Sequence, residues 1–477
     1  MKVLFVASEG HPFIKTGGLG DVIGSLPIAL NNEGVETRIV MPLYGDIPQH
    51  FKEQMRFICD LKVPVGWRKQ YCGLKTTEYK GITYYFIDNE YYFKRPGYYG
   101  YYDDAERFSF FCRAVLECLP HMDFRPDILH CHDWQTGLVS LFKQAFYGAN
   151  PDYTGIRTVF TIHNLAYQGI FPHQILGELL GLGYEYFTYE KLEFYDCVNY
   201  MKAGIVYSDL INTVSPTYAR EIQYPFYGEK LDGLLRHKSY KLSGILNGID
   251  TARFNPATDP ALFVNYKDSL ADKLQNKLKL QELLGFKVDA DIPLLAMITR
   301  LVRQKGLDLL AHILEELLQE NVQLVVLGTG EQQYEGFLSH MAYRYPAKMA
   351  AKIMFDETLA QRIYAGSDMF LMPSLFEPCG LGQLIAMRYG SVPIVRETGG
   401  LKDTVSYFYQ DKDGNYVGNG FSFANYNAHE LLFTIKKAME VFKNKELWAK
   451  VVHNALNSDF SWEKSAKEYI KLYKRLE

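Results

Sequence analysis

Short apolar runs that end in glycine-rich or polar turns recur along the whole chain, and this pattern constrains the fold more than any other feature. Residues 3–7 lead to a turn at 15–20 that holds three glycines, and residues 369–372 lead to a turn at 378–382 that holds two. Each run has the length of a buried strand, and each turn leads into a segment with helical spacing of apolar residues. Because strands that alternate with helices form parallel sheets, the pattern predicts an α/β fold.

The alternation occupies both halves of the 477-residue chain, a length that accommodates two or three domains. The second half repeats the pattern after a turn-rich stretch at residues 242–260, which we take as the domain boundary. Helical spacing also predicts helices over residues 105–119, 427–443 and 461–475. The sequence therefore predicts two α/β domains and a C-terminal helix.

Charge and composition exclude several classes of protein. Charged residues make up 22% of the chain and the net charge is −4, which argues against nucleic acid as a main partner. No apolar run reaches the roughly 18 residues that span a bilayer, and the first residues lead straight into a strand rather than a signal peptide. We therefore expect a cytoplasmic protein. Seven scattered cysteines without a CxxC pair predict reduced thiols and no zinc site.

Aromatic residues are abundant, with 36 Tyr and 30 Phe. Tyrosine suits carbohydrate contact because its face is apolar and its tip is polar, although it is also common at half-buried surfaces. The loop at residues 91–102 is so aromatic that it fits either a sugar-stacking lip or a packed surface loop. Residues 165–200 are predicted to be an irregular insertion.

The second half carries cations and glycines at the ends of its predicted strands. Glu377 lies in a strand-to-helix turn whose helix amides suit a phosphate or diphosphate, and its carboxylate can accept hydrogen bonds from sugar hydroxyls. Arg300 and Lys305 follow another strand, as phosphate binding requires. Each of these residues taken singly also fits a solvated surface position. The loop at 328–330 lets a ligand approach the backbone, and Phe355 offers an aromatic face to a base.

The first half places Lys15 directly before its glycine-rich turn. The turn is not the GxGxxG fingerprint of a dinucleotide-binding fold, and the second strand ends at Pro42 rather than at an acidic residue. It is not a Walker loop either, because the lysine precedes the glycines. We infer that Lys15 and the turn hold a diphosphate, while Asp21 caps the following helix or binds a ligand. That helix either kinks at Pro27 or restarts with Ser25 as its cap.

Polar residues lie at the carboxyl ends of two further strands of the first half. Asp133 follows one strand and His163 ends the next, and ligands of open α/β sheets bind at such carboxyl ends. His130 and His132 share one face of their strand, so a metal pair is an alternative, but no third ligand follows at helical spacing. A lone strand-end histidine is more often structural than catalytic. These two polar strand ends, together with the glycine-rich turn after the first strand, nevertheless predict a shared cleft.

Six motifs, in the same order and over nearly the whole chain, resemble those of the bacterial glycogen synthase and plant starch synthase family. They are KTGGLGD at 15–21, HDW at 132–134, TIHN at 161–164, NGID at 247–250, RL with QKG at 300–306, and PS with FEPCGL at 373–381.

The resemblance implies a GT-B fold, in which two doubly wound Rossmann-like domains face each other across a deep cleft and the C-terminal helix crosses back onto the N-terminal domain. On this basis the N-terminal, acceptor-side domain covers residues 1–243, the nucleotide-sugar domain covers 244–456, and the crossing helix covers 457–477. The implied reaction transfers glucose from ADP-glucose to the non-reducing 4-OH of an α-1,4-glucan (glycogen), with retention of configuration. The resemblance implies no metal and no other cofactor, and the expected partners are the donor and the glucan, without nucleic acid or membrane.

The resemblance also assigns site residues. Glu377 would bind the donor glucose hydroxyls, Arg300 and Lys305 would neutralise the leaving diphosphate, and Asp133 would hold a donor or acceptor hydroxyl. His163 would lie near the anomeric centre, where its main-chain carbonyl could support positive charge. The implied substrate-binding positions are Lys15, Thr16, Gly17, Gly18, Asp21, Asn247, Gly328, Gly330, Phe355, Cys379, Gly380, Leu381 and Gly382.

Two positions depart from the family's pattern, and a third distinguishes the chain from other GT-B transferases. Phe355 stands where some relatives have Tyr, so it keeps a stacking face without a phenol. Gly382 stands where Thr is common, which removes a hydroxyl from the phosphate turn. Ile385, eight residues after Glu377, replaces the second glutamate of other GT-B transferases, and this favours the synthase family.

Three alternative functions stay open at this stage. A different GT-B transferase or a sugar-nucleotide epimerase would share the fold without elongating a glucan. A Rossmann oxidoreductase would need the absent dinucleotide fingerprint. A non-catalytic glucan-binding protein would keep the aromatic loop and tolerate the loss of Glu377.

Overall fold

The computed structural model describes all 477 residues, and the chain divides into two compact units. The first unit combines Met1–Gly248 with Trp462–Glu477, and the second is Ile249–Ser461. The two-domain α/β class predicted from the alternating pattern is confirmed, because each unit contains a mainly parallel sheet with helices packed on it.

The first unit contains twelve strands and ten helices before the chain enters the second unit. The strands are β1 (Lys2–Val6), β2 (Glu36–Pro42), β3 (Arg56–Val65), β4 (Arg68–Tyr79), β5 (Ile82–Asp88), β6 (Ile128–His132), β7 (Arg157–Ile162), β8 (Ile170–Pro172), β9 (Glu193–Phe194), β10 (Cys197–Asn199), β11 (Leu210–Thr213) and β12 (Leu242–Gly244). The helices are α1 (Gly18–Asn32), α2 (Gln49–Glu53), α3 (Glu90–Phe93), α4 (Asp104–Cys118), α5 (Leu138–Tyr147), α6 (Pro151–Thr154), α7 (Ile175–Glu178), α8 (Tyr200–Tyr207), α9 (Pro216–Glu221) and α10 (Asp232–His237).

Nine of these strands form one sheet in the order β12-β11-β7-β6-β1-β2-β5-β4-β3. The strands from β12 to β5 are parallel, while β4 runs antiparallel to both of its neighbours, β5 and β3. The chain passes from β1 to β2 on one side and later returns to β6 on the other. The strand order therefore reverses beside β1, and the loops after β1 and β6 border the crevice where open sheets bind ligands.

The second unit contains eight strands and eight helices. The strands are β13 (Leu294–Ile298), β14 (Gln323–Leu327), β15 (Met349–Lys352), β16 (Met369–Met372), β17 (Val392–Arg396), β18 (Tyr409–Gln410), β19 (Tyr416–Val417) and β20 (Phe421–Phe423). The helices are α11 (Leu270–Leu284), α12 (Leu307–Gln319), α13 (Gln332–Arg344), α14 (Glu357–Gly366), α15 (Gly382–Arg388), α16 (Gly399–Thr404), α17 (Ala428–Lys443) and α18 (Lys445–Leu456). The last helix of the chain, α19 (Trp462–Lys474), belongs to the first unit.

Six strands of the second unit form a fully parallel sheet in the order β15-β14-β13-β16-β17-β20. The chain adds β14 and β15 on one side of β13 and then returns to add β16 on the other side. The order therefore reverses between β13 and β16. The loops that follow these two strands carry Arg300, Lys305 and Glu377, so the crevice rule places these residues at the ligand-binding edge.

Helix α19 contributes to the core of the first unit. Trp462, Ala466, Tyr469, Leu472 and Tyr473 are buried within its apolar cluster, and α19 packs along α1. The Ser465 hydroxyl donates to the carbonyl of Leu246 over 2.7 Å. The last helix therefore completes the first unit rather than the second.

Two local predictions need revision. Helix α1 runs continuously from Gly18 to Asn32 through Pro27, so the alternative in which it restarts with Ser25 as a cap was wrong, and the kink at Pro27 stays a prediction. Its buried face packs on the sheet, and this tertiary packing outweighs the local cost of an internal proline. Residues 165–200 are less irregular than predicted, because β8, β10 and β9 form a small antiparallel sheet there.

None of the helices has both the length and the apolar character that a membrane crossing requires.

Candidate active site

Lys305 and Glu377 form an ion pair where the strand order of the second sheet reverses. The Lys305 Nζ lies 2.6 Å from the Glu377 Oε2, and the side chains are 16% and 8% exposed. The Ser374 hydroxyl donates to the same carboxylate oxygen over 3.2 Å. The Glu377 carboxylate is thus oriented by two donors, and little solvent reaches it.

The backbone of two loops fixes this pair. The Leu375 amide donates to the Gln304 carbonyl over 2.9 Å, which ties the loop after β16 to the loop after β13. Gly306 has φ +76°, and a Cβ there would lie 2.1 Å from the Pro373 carbonyl oxygen, so only glycine allows the loops to approach this closely. The buried Arg396 donates to the Leu375 carbonyl over 2.6 Å. The loops that carry Lys305 and Glu377 are therefore held together by backbone contacts and by Arg396.

The turn from Cys379 to Gly382 leads from Glu377 into α15. Cys379 is buried, Gly380 has φ +75°, and Gln383 donates to the carbonyls of Cys379 and Gly380 over 3.1 and 3.0 Å. The amides of Gly380, Leu381 and Gly382 have no acceptor among the backbone hydrogen bonds. Amide groups at the start of a helix carry partial positive charge, so this turn can receive an anion.

Four other predicted binding residues of the second unit lie on surface loops. The Arg300 side chain is exposed. Phe355 lies between β15 and α14 with 86% of its surface exposed. A Cβ on Gly328 would lie 1.8 Å from the Thr299 carbonyl oxygen, and one on Gly330 would lie 2.3 Å from the Leu301 carbonyl oxygen. The packing of the two loops therefore accounts for both glycines without a ligand, and their binding role stays a prediction.

In the first unit, the buried Glu9 caps helix α1. Its carboxylate accepts from the Thr16 amide over 2.9 Å, from the Thr16 hydroxyl over 2.5 Å and from the Gly20 amide over 3.1 Å. Burial raises the pKa of Glu9, and hydrogen bonds from Thr16, Gly20 and the Gly17 amide oppose that shift. Glu9 is not among the residues predicted from the sequence. The available signal was an acidic residue three positions after the first strand, at the edge where ligands bind.

Lys15 and Asp21 form a second ion pair, with 2.8 Å between the Lys15 Nζ and the Asp21 Oδ1. Asp21 lies within the first turn of α1, whose N-cap position is Gly17, so the prediction that Asp21 caps the helix was wrong. Gly18 is the first residue of α1. Because Glu9 already occupies the neighbouring amides, an anion at this helix end would meet its carboxylate.

Asp133 directly follows β6 and has φ +57°, a conformation that is uncommon for a residue with a Cβ. Its Oδ1 accepts from the His163 amide over 2.7 Å, and its own amide donates to the Thr161 carbonyl over 3.0 Å. Burial raises the pKa of Asp133 to about 7, against the opposing hydrogen bonds from His163 and Asn164. The strained backbone thus directs Asp133 toward the main chain of His163.

His163 is the end of a buried series of histidines. Its Nε2 lies 2.9 Å from the His132 Nδ1, and the His132 ring lies 4.2 Å from that of His130. Burial lowers the pKa of His130 and His163 to about 3 and also lowers that of His132, so all three rings are neutral near pH 7. The two nitrogens of His130 bind Tyr473 and Thr161 at 2.8 and 2.7 Å.

Asn247 is buried near the end of the first unit, and its Oδ1 has no hydrogen-bond partner. The predicted site residues fall into three groups. In the second unit, Lys305, Glu377 and the turn up to Gly382 lie together, with Arg300 on the adjoining loop. The first unit brings together Asp133 and His163, and separately holds Lys15 with Asp21.

Comparisons with known proteins extend over both units. Residues 2–237 match the family described as the starch synthase catalytic domain, and residues 286–458 match glycosyl transferases group 1. The chain is 56% identical over 477 residues to a glycogen synthase of Desulforamulus reducens, covering 100% of this chain and 99% of the relative. It is 55% identical over 477 residues to a glycogen synthase of Alkaliphilus metalliredigens, covering 100% of both.

The fold is similar to a solved plant structure, the catalytic domain of starch synthase IV from Arabidopsis thaliana bound to ADP and acarbose. The TM-score is 0.90 at 35% sequence identity, and 99% of each chain is covered. The similarity therefore includes both Rossmann-like units and the helix that returns to the first of them.

Proposed function

This chain belongs to the family of bacterial glycogen synthases and plant starch synthases, and from that premise we propose how its residues carry out the family's reaction. The protein transfers glucose from ADP-glucose to the non-reducing 4-OH of an α-1,4-glucan, with retention of the anomeric configuration. The residue assignments depend mainly on one observation, the ion pair between Lys305 and Glu377. The pair is largely buried and lies where the strand order of the second sheet reverses.

The second unit supplies the charge stabilisation on the donor side. Cleavage of the bond between glucose and the diphosphate builds negative charge on the leaving group. Arg300, Lys305 and the amides from Gly380 to Gly382 stabilise that charge, because fixed donors need no reorganisation as the charge develops. Glu377 accepts hydrogen bonds from the glucose hydroxyls and holds the anomeric carbon toward the acceptor.

Binding of the donor changes the partner of Lys305. Lys305 is paired with Glu377 at 2.6 Å, and a diphosphate offers the same ammonium group a second anion. Glu377 is then free to accept from sugar hydroxyls without leaving either charge unpaired. The ion pair thus keeps both groups oriented before the substrate arrives.

The first unit supplies groups to the same reaction. Lys15 binds the nucleotide sugar and Asp133 holds a hydroxyl. The main-chain carbonyl of His163 supports the positive charge that develops on the sugar. The short hydrogen bond from the His163 amide to Asp133 supports this assignment, because it fixes the main chain at that residue. Thr16, Gly17, Gly18, Asp21 and Asn247 are the remaining proposed contacts, and at this end of α1 the positive charge for the donor comes from Lys15 and not from the amides that Glu9 occupies.

The reaction proceeds without a covalent glucosyl-enzyme, and the leaving phosphate assists deprotonation of the acceptor hydroxyl. Glu377 is held by Lys305 and Ser374 as an acceptor of hydrogen bonds rather than as a nucleophile. Intact-protein mass spectrometry during turnover tests this step. A glucosyl adduct on Glu377 or on any other residue would overturn it.

The function is tested by ADP release from ADP-glucose, and separately UDP release from UDP-glucose, with glycogen as acceptor and EDTA present. Turnover of ADP-glucose with chain growth is the expected result, and EDTA should leave the rate unchanged. Turnover of UDP-glucose alone would contradict the donor assignment, and turnover of neither would contradict the function. The cytoplasmic location and the absence of nucleic acid partners stay predictions from composition.

A further inference from the structure

His132 is buried completely, yet it makes a single side-chain hydrogen bond. Its Nδ1 lies 2.9 Å from the Nε2 of His163, while its own Nε2 is buried and has no hydrogen-bond partner. The neutral rings share one proton in their hydrogen bond, so one nitrogen donates and the other accepts. Because the Nε2 of His132 has no partner, it determines which of the two possible proton positions has the lower free energy.

Two arrangements of protons are possible. If His163 donates from Nε2, His132 carries its own proton on Nε2 and buries an N–H group without an acceptor. If His132 donates from Nδ1, its unpartnered Nε2 carries only a lone pair. Buried N–H groups without an acceptor are rarer than under-used acceptors, so the second arrangement is favoured. His163 then carries its proton on Nδ1.

The surroundings of His132 prevent it from rotating to another arrangement. The Phe5 ring stacks on His132 with 5.4 Å between centroids and 16° between planes, and the His130 ring lies 4.2 Å away on the same strand. His130 is fixed in turn, since Tyr473 of α19 and Thr161 of β7 hold its two nitrogens. The orientation of His132 is thus set by the sheet and by the last helix.

We propose that His132 is a positioning residue that holds the His163 ring in the tautomer with its proton on Nδ1, so that the ring offers substrate an N–H donor and not a basic nitrogen. The proposal rests on the proposed function only in that it places His163 near the reacting sugar, and it adds a role for the ring to that of the main-chain carbonyl. It adds a residue outside the substrate contacts and assigns a proton to a stated atom. The chemical partner of such a donor is an oxygen atom of the bound carbohydrate or of its leaving group.

The first test is spectroscopic and uses the full-length wild-type protein labelled with 15N-histidine. Long-range 1H–15N correlation separates protonated from unprotonated ring nitrogens, and the His163 signals are those that vanish in His163→Gln. We expect a protonated Nδ1 and an unprotonated Nε2 on His163. A protonated Nε2 on His163 would overturn the proposal whatever the activity of any variant.

The second test compares two substitutions at His132. His132→Phe keeps an aromatic ring but removes the Nδ1–H group, whereas His132→Asn places an amide nitrogen near the position of Nδ1. We expect His132→Phe to lower kcat on the order of 100-fold, the effect of a misplaced group at the reacting centre, with a smaller change in KM for ADP-glucose. His132→Asn should recover most of that loss, and the exposed His121→Asn serves as the control.

Equal loss in His132→Phe and His132→Asn, or no loss in either, would contradict the positioning role. Circular dichroism and thermal denaturation of each variant separate misfolding from misorientation, and the wild-type spectrum decides the tautomer if His132→Phe fails to fold. Wild-type activity in His163→Gln would remove the His163 ring from the reaction and contradict this proposal, whereas wild-type protein that does not turn over ADP-glucose would contradict the proposed function. The labelled spectrum would still report the tautomer, so the two failures are distinguishable.

Discussion

At the scale of single residues, Lys305 and Glu377 hold opposite charges 2.6 Å apart where little solvent reaches them. A pair of this kind contributes little net stability, because desolvation offsets much of the attraction. Removal of one member is costly, because the other charge stays buried without a partner. The arrangement therefore favours a role in function over a role in stability.

Lys305→Ala should lower kcat/KM for ADP-glucose by roughly 100- to 1000-fold, or about 2.7–4 kcal/mol of transition-state stabilisation, the scale of one preorganised donor. Arg303→Ala is the matched control, because Arg303 lies on the same turn with a side chain that is 71% exposed. Initial rates of ADP release measure both. A Lys305→Ala enzyme within threefold of wild type would mean that Lys305 is only a structural cation.

The buried histidines should make the first unit sensitive to acid. Burial lowers the pKa of His130 and His163 to about 3, whereas histidine in an unfolded chain takes up its proton near pH ~6.5. Their stabilising contribution is therefore present at neutral pH and is lost as the pH falls from about 6.5 toward 3. Each such group changes the slope of stability by about 1.4 kcal/mol per pH unit in that window.

Calorimetry of the wild type and His130→Gln at about pH 7 and about pH 5 tests this sensitivity. The variant should begin with a lower Tm, because it loses the contacts to Tyr473 and Thr161. The decrease in Tm on acidification should then be smaller for the variant than for the wild type. The exposed His121→Gln is the control. An equal acid shift in wild type and His130→Gln would contradict the account.

The sequence predicts residue chemistry best where a strand ends. Arg300, Lys305 and Glu377 were identified because each follows an apolar run, and the structure puts these loops at one edge of a sheet. Glu9 was not identified as a cap, because it lies outside the helix it serves and acts through a folded-back loop. The hydrogen bond between His132 and His163 joins two strands, so no local pattern contains it.

At the scale of elements, helix α1 depends on a carboxylate from outside its own sequence. The N-cap residue Gly17 has no side chain to accept the first amides, and Glu9 accepts from Gly20 and Thr16 instead. The same contacts hold the loop that carries Lys15. Stability of the helix end and placement of Lys15 are therefore linked.

Glu9→Ala should destabilise the first unit by about 2 kcal/mol, near the upper range of a lost cap, and should raise KM for ADP-glucose as the Lys15 loop loosens. Glu9→Gln should lose less, since it keeps one acceptor oxygen. Thermal denaturation and initial rates measure the two effects. Glu33→Ala, at the exposed C-terminal end of α1, is the control, and a Glu9→Ala protein that matches it in both assays would refute the link.

Most elements were predictable because their periodicity is local. The helices at 105–119, 427–443 and 461–475 correspond to α4, α17 and α19 within a few residues. The insertion at 165–200 was harder, because strands of two or three residues such as β9 and β10 carry too few positions to show alternation. The sequence left open whether α1 continues through Pro27, because packing against the sheet decides this and the local signal of Pro27 does not.

At the scale of the whole molecule, the two units share the same architecture. Each unit has a parallel sheet whose strand order reverses, and each carries charged residues on the loops at that reversal: Asp133 after β6, and Lys305 and Glu377 after β13 and β16. The repeated alternation made this architecture predictable from sequence. The return of α19 to the first unit was foreseen only through the family resemblance, because no local pattern says which unit a terminal helix joins.

The central claim is that Glu377 acts in glucose transfer rather than in folding or in nucleotide binding. The most direct measurement compares wild type and Glu377→Gln for ADP affinity by calorimetry and for glucan elongation from ADP-glucose. We predict that ADP binds the variant within a few-fold of wild type, while elongation falls by at least ~100-fold. Elongation within threefold of wild type, with ADP binding intact, would contradict the account.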